Sequence, residues 1–139
     1  MSLRQVERLT EPQIADLHAL YQSEWWGKGR SPVDVRIMVE NSSLIIGFVG
    51  EDEKLVAFCR ILTDFVFRAT IYDVIVAAPL RGQGLGKKLM DTVSQHPRLQ
   101  RVSTLWLCCN PDMTPFYEKW GFRVFDEGQL WMLKAQRAG

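Results

Sequence analysis

The sequence predicts an α/β (α+β) chain built on one mixed, mostly antiparallel sheet with a single crossover. Three observations lead there. Apolar residues recur at helical spacing in Ile14, Leu17, Leu20 and Tyr21, and again in Leu85, Leu89 and Val93. Between those stretches, from Leu44 on, apolar character comes in short runs separated by Gly and acidic turns, as strands require. Finally, a loop with glycines at 82, 84 and 86 joins one strand-like run to the second helical stretch.

The elements follow in order. Val6 to Leu9 suits a short first strand. Thr10-Glu11-Pro12-Gln13 has capping-box spacing, with Pro where a first helical turn tolerates it, so a helix begins there and dissolves at Glu24-Trp25-Trp26-Gly27. Ser31-Pro32 starts a second helix carrying Val33 and Ile37. Leu44–Val49 and Leu55–Leu62 read as a hairpin, and Thr70–Val76 as a third strand entering the glycine loop. The helix after the loop ends before Pro97. Val102–Cys109 is another strand, a short helix with Phe116-Tyr117 follows, and Phe122–Phe125 with Gln129–Leu133 are expected to close the chain as a hairpin around Asp126-Glu127-Gly128.

At 139 residues and 47% hydrophobic composition, the chain suits one domain, residues 1–139, with a core of its own. Lys plus Arg number 17 against 16 Asp plus Glu, which lacks the basic excess that nucleic acid or an anionic membrane would select, so the expected partner is a small molecule. Cys59, Cys108 and Cys109 show no Cys-x-x-Cys spacing, which points away from disulfides and metal and toward small core residues. The N-terminus has no signal-peptide pattern and no apolar run approaches the ~18 residues of a membrane span, so the expectation is a cytoplasmic protein. A homodimer is allowed but not indicated.

The glycine loop reads Arg81-Gly82-Gln83-Gly84-Leu85-Gly86-Lys87-Lys88. A side-chain-poor loop opening onto a helix leaves backbone N–H groups free to close around phosphate. A dinucleotide fingerprint needs glycine at 87, which is Lys; a Walker A loop needs glycine at 81 and a hydroxyl at 88, which are Arg and Lys. What remains is Arg81-x-x-Gly84-x-Gly86. Together with Asn110 and the later run Phe116-Tyr117-Glu118-Lys119-Trp120-Gly121-Phe122, it resembles the GCN5-related N-acetyltransferases (GNAT family) over nearly the whole chain. Tyr72-Asp73-Val74-Ile75-Val76 and the Phe-Tyr segment are also similar to glucosamine-phosphate N-acetyltransferases.

The resemblance implies a splayed parallel strand pair with helices on both faces of the sheet, acetyl-CoA as cosubstrate, and transfer to a primary amine by direct attack in a ternary complex. Arg81, Gly82, Gln83, Gly84, Leu85, Gly86 and Lys87 would wrap the pyrophosphate. The backbones of Val74, Ile75 and Val76, helped by a bulge, would hold the thioester and pantetheine amides, and Asn110 would contact the cofactor arm unless it forms a strand-end turn with Pro111. Tyr117 would donate to the departing thiolate, a phenol being able to do so; the bland alternative is a packing tyrosine. The late-strand Glu of many relatives is missing, since Leu107, Cys108 and Cys109 stand there. Asp73, which interrupts an apolar strand, is the nearest carboxylate and reads equally as general base, structural acceptor or amine anchor. Glu24, Trp25 and Trp26 fall where relatives bind the acceptor, and Lys28 and Arg30 read as solvated charge or contacts to an anionic acceptor group. The acceptor is expected to be a small-molecule amine. A protein or peptide N-acetyltransferase and a non-catalytic CoA-binding module are the rivals.

Overall fold

The structure, a computed structural model, describes residues 2–137. These residues divide into two compact units, one up to Cys108 and one from Cys109 on.

The first unit contains β1 (Arg4–Val6), α1 (Glu11–Gln22), α2 (Pro32–Asn41), β2 (Leu44–Val49), β3 (Leu55–Thr63), β4 (Arg68–Val76), α3 (Leu85–Gln95) and β5 (Thr104–Leu107). The strands form one sheet in the order β1-β2-β3-β4-β5. Every neighbouring pair is antiparallel except β4 and β5, which run parallel because α3 carries the chain across between them. The mixed, mostly antiparallel sheet is the one expected.

Local chemistry sets the helix starts. The Thr10 hydroxyl accepts from the Gln13 N–H while the Gln13 side chain accepts from the Thr10 N–H, so the capping box is complete. Ser31 caps α2 through Asp34 N–H, with Pro32 at its first position. β1 stops at Val6, three residues before the Leu9 end expected, because the chain must leave the sheet to reach the Thr10 cap.

All six residues of β2 are buried, which happens when both faces of a sheet are covered. On one face Leu17 and Tyr21 of α1 and Val35 of α2 pack on Ile45, Val49, Leu55, Phe58 and Ile75. On the other, α3 buries Leu85, Leu89, Met90 and Val93 and lays the Lys88 ammonium 5.1 Å from the Phe48 ring centre.

Two irregularities in β4 shape the region before the glycine loop. Phe58 pairs with Ile75 but Arg60 pairs with Tyr72, so Asp73 and Val74 together oppose Cys59 in a β-bulge, with Asp73 at φ +57°. In addition, β4 pairs with β5 only from Arg68 to Ile71, and β5 ends at Leu107 while β4 continues to Val76. The parallel pair therefore splays.

The second unit holds a 3-10 turn, Pro111–Met113, and α4 (Thr114–Glu118). The closing hairpin is not formed: residues 122–137 contain no strand, although a bend occupies 127–128 and Arg123 pairs with Glu127 at 2.8 Å. Val124, Leu130 and Met132 are exposed, so the run lacks the buried face that an isolated two-strand ribbon needs to hold together in water. Among the described residues no helix is long and apolar enough to cross a membrane.

Leu89→Ala is expected to lower unfolding free energy by about 2–5 kcal/mol, since it empties a fully buried site on α3. Thr10→Ala should cost only about 1 kcal/mol. Urea unfolding with an unchanged m-value tests both, and equal losses would contradict this packing.

Candidate functional site

A 3-10 turn at Ala78–Leu80 lifts the chain off β4 into the glycine loop. Gly82 and Gly84 have φ of +80° and +83°, the left-handed region where a side chain is strained, and Gly84 is the N-cap of α3 without any side-chain cap. The first helical bond of α3 runs from Lys88 N–H to the Gly84 carbonyl, so the preceding N–H groups at the mouth of the helix have no intrahelical acceptor. A Cβ on Gly82 or Gly84 would meet no atom within 4 Å, leaving open space over the amides. This donor set suits a phosphate. The basic side chains of the loop are occupied: Arg81 donates through Nη2 to Glu24 at 2.9 Å and through Nε to the Val76 carbonyl at 3.2 Å, and Lys87 pairs with Asp91 at 2.7 Å.

Backbone groups of β4 lie next to this loop. Ala77 N–H bonds the Val56 carbonyl, so by strand alternation Ile75 also faces β3, while Val74 and Val76 turn their peptide groups to the opposite side. That is the side on which β4 has no β5 partner beyond Ile71. Ile75 is buried and Val74 and Val76 are half-buried, so core side chains and available backbone coexist in one short run.

Asp73 sits on the bulge with 8% of its side chain exposed. Three donors converge on its Oδ2: Tyr21 Oη at 2.7 Å, Arg30 Nη1 at 2.8 Å and Arg60 Nε at 2.8 Å. Burial pushes the carboxyl toward protonation, but the bonds from Arg60, Arg30 and Tyr21 outweigh it and hold the group below the ordinary carboxylate range. Burial, then the Asp73 charge, raises the Tyr21 phenol, which stays a donor. Cys59, opposite the bulge, is pushed up to about 12 by burial and the same charge, so it is an inert core thiol.

Aromatic rings brace the cluster. The Arg30 guanidinium lies 4.6 Å from the Tyr21 ring centre and 5.4 Å from that of Trp26, and Arg60 lies 4.8 Å from Tyr72. Trp26 packs edge-on against Tyr21, whereas Trp25 is 83% exposed, so the adjacent tryptophans divide between structure and surface. Gly27 permits this packing, because a Cβ there would stand 2.9 Å from Tyr21 Cδ1. His18 on α1 lies within hydrogen-bond distance of the Arg30 carbonyl, to which its Nε2 can donate, and of the Gln22 side chain one turn on, as a packing residue does.

In the second unit, Tyr117 is half-buried on α4, edge-on to Phe116 and Phe122. Asn110 is exposed and its carbonyl, not its side chain, caps the following turn by accepting from Met113 N–H. Cys108 is exposed, contrary to the core role expected of it, because β5 ends at Leu107. Among the described residues no group of three or more His, Cys, Asp or Glu could hold a metal.

Sequence reasoning missed Tyr21 and Arg60 as members of the cluster. Tyr21 was absorbed into the apolar face of α1. Arg60 carried a readable signal, a lone charge inside the apolar run Leu55–Leu62 that had to find a partner.

The profile of the acetyltransferase (GNAT) family matches residues 10–122. The chain belongs to this family of acyltransferases. It is 38% identical over 112 residues to the uncharacterized N-acetyltransferase ycf52 of Pyropia yezoensis, covering 78% of this chain and 64% of that protein. It is 32% identical over 126 residues to the histone acetyltransferase TAP1 of Glycine max, covering 83% and 54%. The chain thus spans less than two thirds of the length of these relatives. A crystal structure of a GNAT-family protein from Xanthomonas campestris pv. campestris superposes with a TM-score of 0.85 at 27% identity, covering 97% of this chain and 94% of the other.

Asp73→Asn is expected to lose about 3 kcal/mol of stability, because two guanidiniums then face a neutral amide. A carboxylate whose folded pKa is depressed stabilises fully above its unfolded value, near pH ~4, and loses that contribution as pH falls through the folded value. The gap between wild type and mutant should therefore be constant near neutrality and narrow below pH ~4, read from urea midpoints; a gap that widens on acidification would refute the anionic assignment.

Proposed function

We propose that the protein transfers an acetyl group from acetyl-CoA to the primary amine of a small molecule, by direct attack within a ternary complex. The observation that carries this reading is the splay of β4 from β5 beside an uncapped, glycine-lined helix mouth, which leaves a backbone-lined slot leading to a phosphate cradle. Acetyl-CoA supplies an activated acetyl thioester. The N–H groups from Gly82 to Lys87 would hold its pyrophosphate, and the outward peptide groups of Val74 with the Val76 N–H, the Val76 carbonyl being taken by Arg81, would bond its amide arm and polarise its carbonyl. Asn110 would add a contact to the arm.

In the transfer an N–C bond forms, the C–S bond breaks, the amine nitrogen gives up a proton and the sulfur must take one or be hydrogen-bonded. Tyr117 is assigned to the sulfur, on the strength of its place in the Phe-Tyr-x-x-x-Gly-Phe frame. Asp73 makes a poor base, since a carboxylate held below its ordinary range accepts protons weakly near neutrality. It is better suited to orienting the amine, with water taking the proton. Trp25 and Trp26 flank the acceptor side, and Glu24 acts there through Arg81. Three free thiols suit a reducing, cytoplasmic setting.

The similarity to a histone acetyltransferase favours one second reading, a protein amine as acceptor, for which the exposed Trp25 would serve as a contact. Comparing CoA release with small amines and with lysine-containing peptides separates the two.

Acetyl-CoA should raise Tm by mass action, by the equivalent of about 2.7 kcal/mol at a hundredfold excess over Kd, with NAD and ATP doing much less. Gly84→Phe should abolish the shift. An unchanged shift in that mutant would overturn the cradle assignment.

Tyr117→Phe should cut kcat by ~100- to 10,000-fold at similar CoA affinity, since the lost hydroxyl matters as the sulfur leaves. Wild-type turnover in the mutant would make Tyr117 a packing residue.

A further inference from the structure

The cluster around Asp73 is incomplete as a structural device. All three donors use Oδ2, and Oδ1 accepts from no described residue. Arg60 spends Nε on Asp73, and neither of its Nη groups has a partner among the described residues, although only 15% of the side chain is exposed. Arg30 is 31% exposed and donates to Asp73 through Nη1. Among the described residues no buried side-chain nitrogen or oxygen lacks a partner, so Oδ1 and the Arg60 Nη groups open to solvent. Two guanidiniums against one carboxylate leave a surplus of one positive charge. The Arg30 guanidinium lies over the Tyr21 and Trp26 rings and that of Arg60 over the Tyr72 ring, so both are held against aromatic faces. The whole assembly stands on the bulge, one residue before the Val74–Val76 backbone.

We propose that the acceptor is an amine with an oxyanion close to its nitrogen, the nitrogen received by Asp73 Oδ1 and the oxyanion by Arg60 together with Arg30. This rests on the acetyltransferase reading above. Guanidinium donors that are largely desolvated yet have only solvent to donate to are placed to take an anion, and the planar fork of the two Arg60 Nη groups suits two oxygens of one anion. A purely cationic acceptor, such as a polyamine, would meet the surplus positive charge with a single acceptor atom in its favour. An amine beside an oxyanion satisfies both halves of the cluster. A carboxylate, as in an α-amino acid, and a phosphate, as in an aminoalkyl phosphate, share this chemistry.

The test measures CoA release from acetyl-CoA for matched pairs: tyrosine with tyramine, and phosphoethanolamine with ethanolamine. The anionic member of at least one pair should have a KM lower by ~10- to 100-fold, the range charge-assisted hydrogen bonds support, and the pair that shows it names the oxyanion. In Arg30→Gln and in Arg60→Lys, which keeps the charge near Asp73 but loses the fork, that ratio should fall toward one, with the acetyl-CoA-induced rise in Tm retained as proof of folding. Equal or better KM for tyramine and ethanolamine overturns the proposal and leaves the transferase reading standing. A ratio unchanged in both folded variants also overturns it. Release from none of the amines or lysine peptides, with acetyl-CoA still bound, sinks the transferase reading and this proposal together.

Discussion

A carboxylate inside an apolar strand has to be neutralised, and Asp73 recruits its partners from three separate parts of the first unit. Tyr21 comes from α1, Arg30 from the loop after it, and Arg60 from β3. Their convergence on one oxygen fixes the α1–α2 loop against the sheet, so the position of Trp26 and the packing of Gly27 follow from it. Buried ion pairs rarely add net stability over apolar packing, because desolvation offsets the attraction. What this one supplies is geometry: a charged, braced surface at a bulge.

The bulge and the splay are two consequences of one strand doing unlike jobs along its length. From Arg68 to Ile71, β4 is an ordinary inner strand with neighbours on both sides. From Asp73 on it keeps β3 but loses β5, and the extra residue at 73–74 resets which peptide groups face outward. An inner strand has no free donors for a ligand, and an exposed edge invites aggregation. Half a strand paired on both sides and half on one gives free donors in a sheltered place. Asp73 accepts the left-handed backbone of the bulge more readily than most residues would, so one residue type answers both the conformational and the electrostatic demand.

Much of this was legible in the sequence, and for identifiable reasons. The helices were readable because Thr10 and Ser31 announce caps and α3 has apolar residues on one face. The glycine loop was readable because backbone chemistry needs a lack of side chains, which is visible in a sequence. The cluster was not, because a tyrosine at helical spacing and an arginine in a strand show their partners only once α1 lies on the sheet. Asp73 was singled out correctly as unusual, but whether it takes up or holds off a proton depends on Arg30 and Arg60, distant in sequence by 43 and 13 residues. The C-terminal hairpin failed for the opposite reason: alternation and a Gly turn are local signals, and a ribbon without a buried face is not held by them.

Glu24 and Arg81 show how loosely the two halves of the candidate site are tied to each other. The pair joins the loop after α1 to the glycine loop at 2.9 Å, with Arg81 52% exposed. A pair so open to water is worth at most about 1 kcal/mol. The Arg30–Asp73 contact, by contrast, is half-shielded and shared with Tyr21 and Arg60, so it cannot be broken singly. An anion arriving at the glycine loop can therefore take Arg81 from Glu24 at little cost to the fold, while the loop after α1 stays anchored through Asp73. The weak link lies where a charge must be exchanged and the strong one where a geometry must be kept.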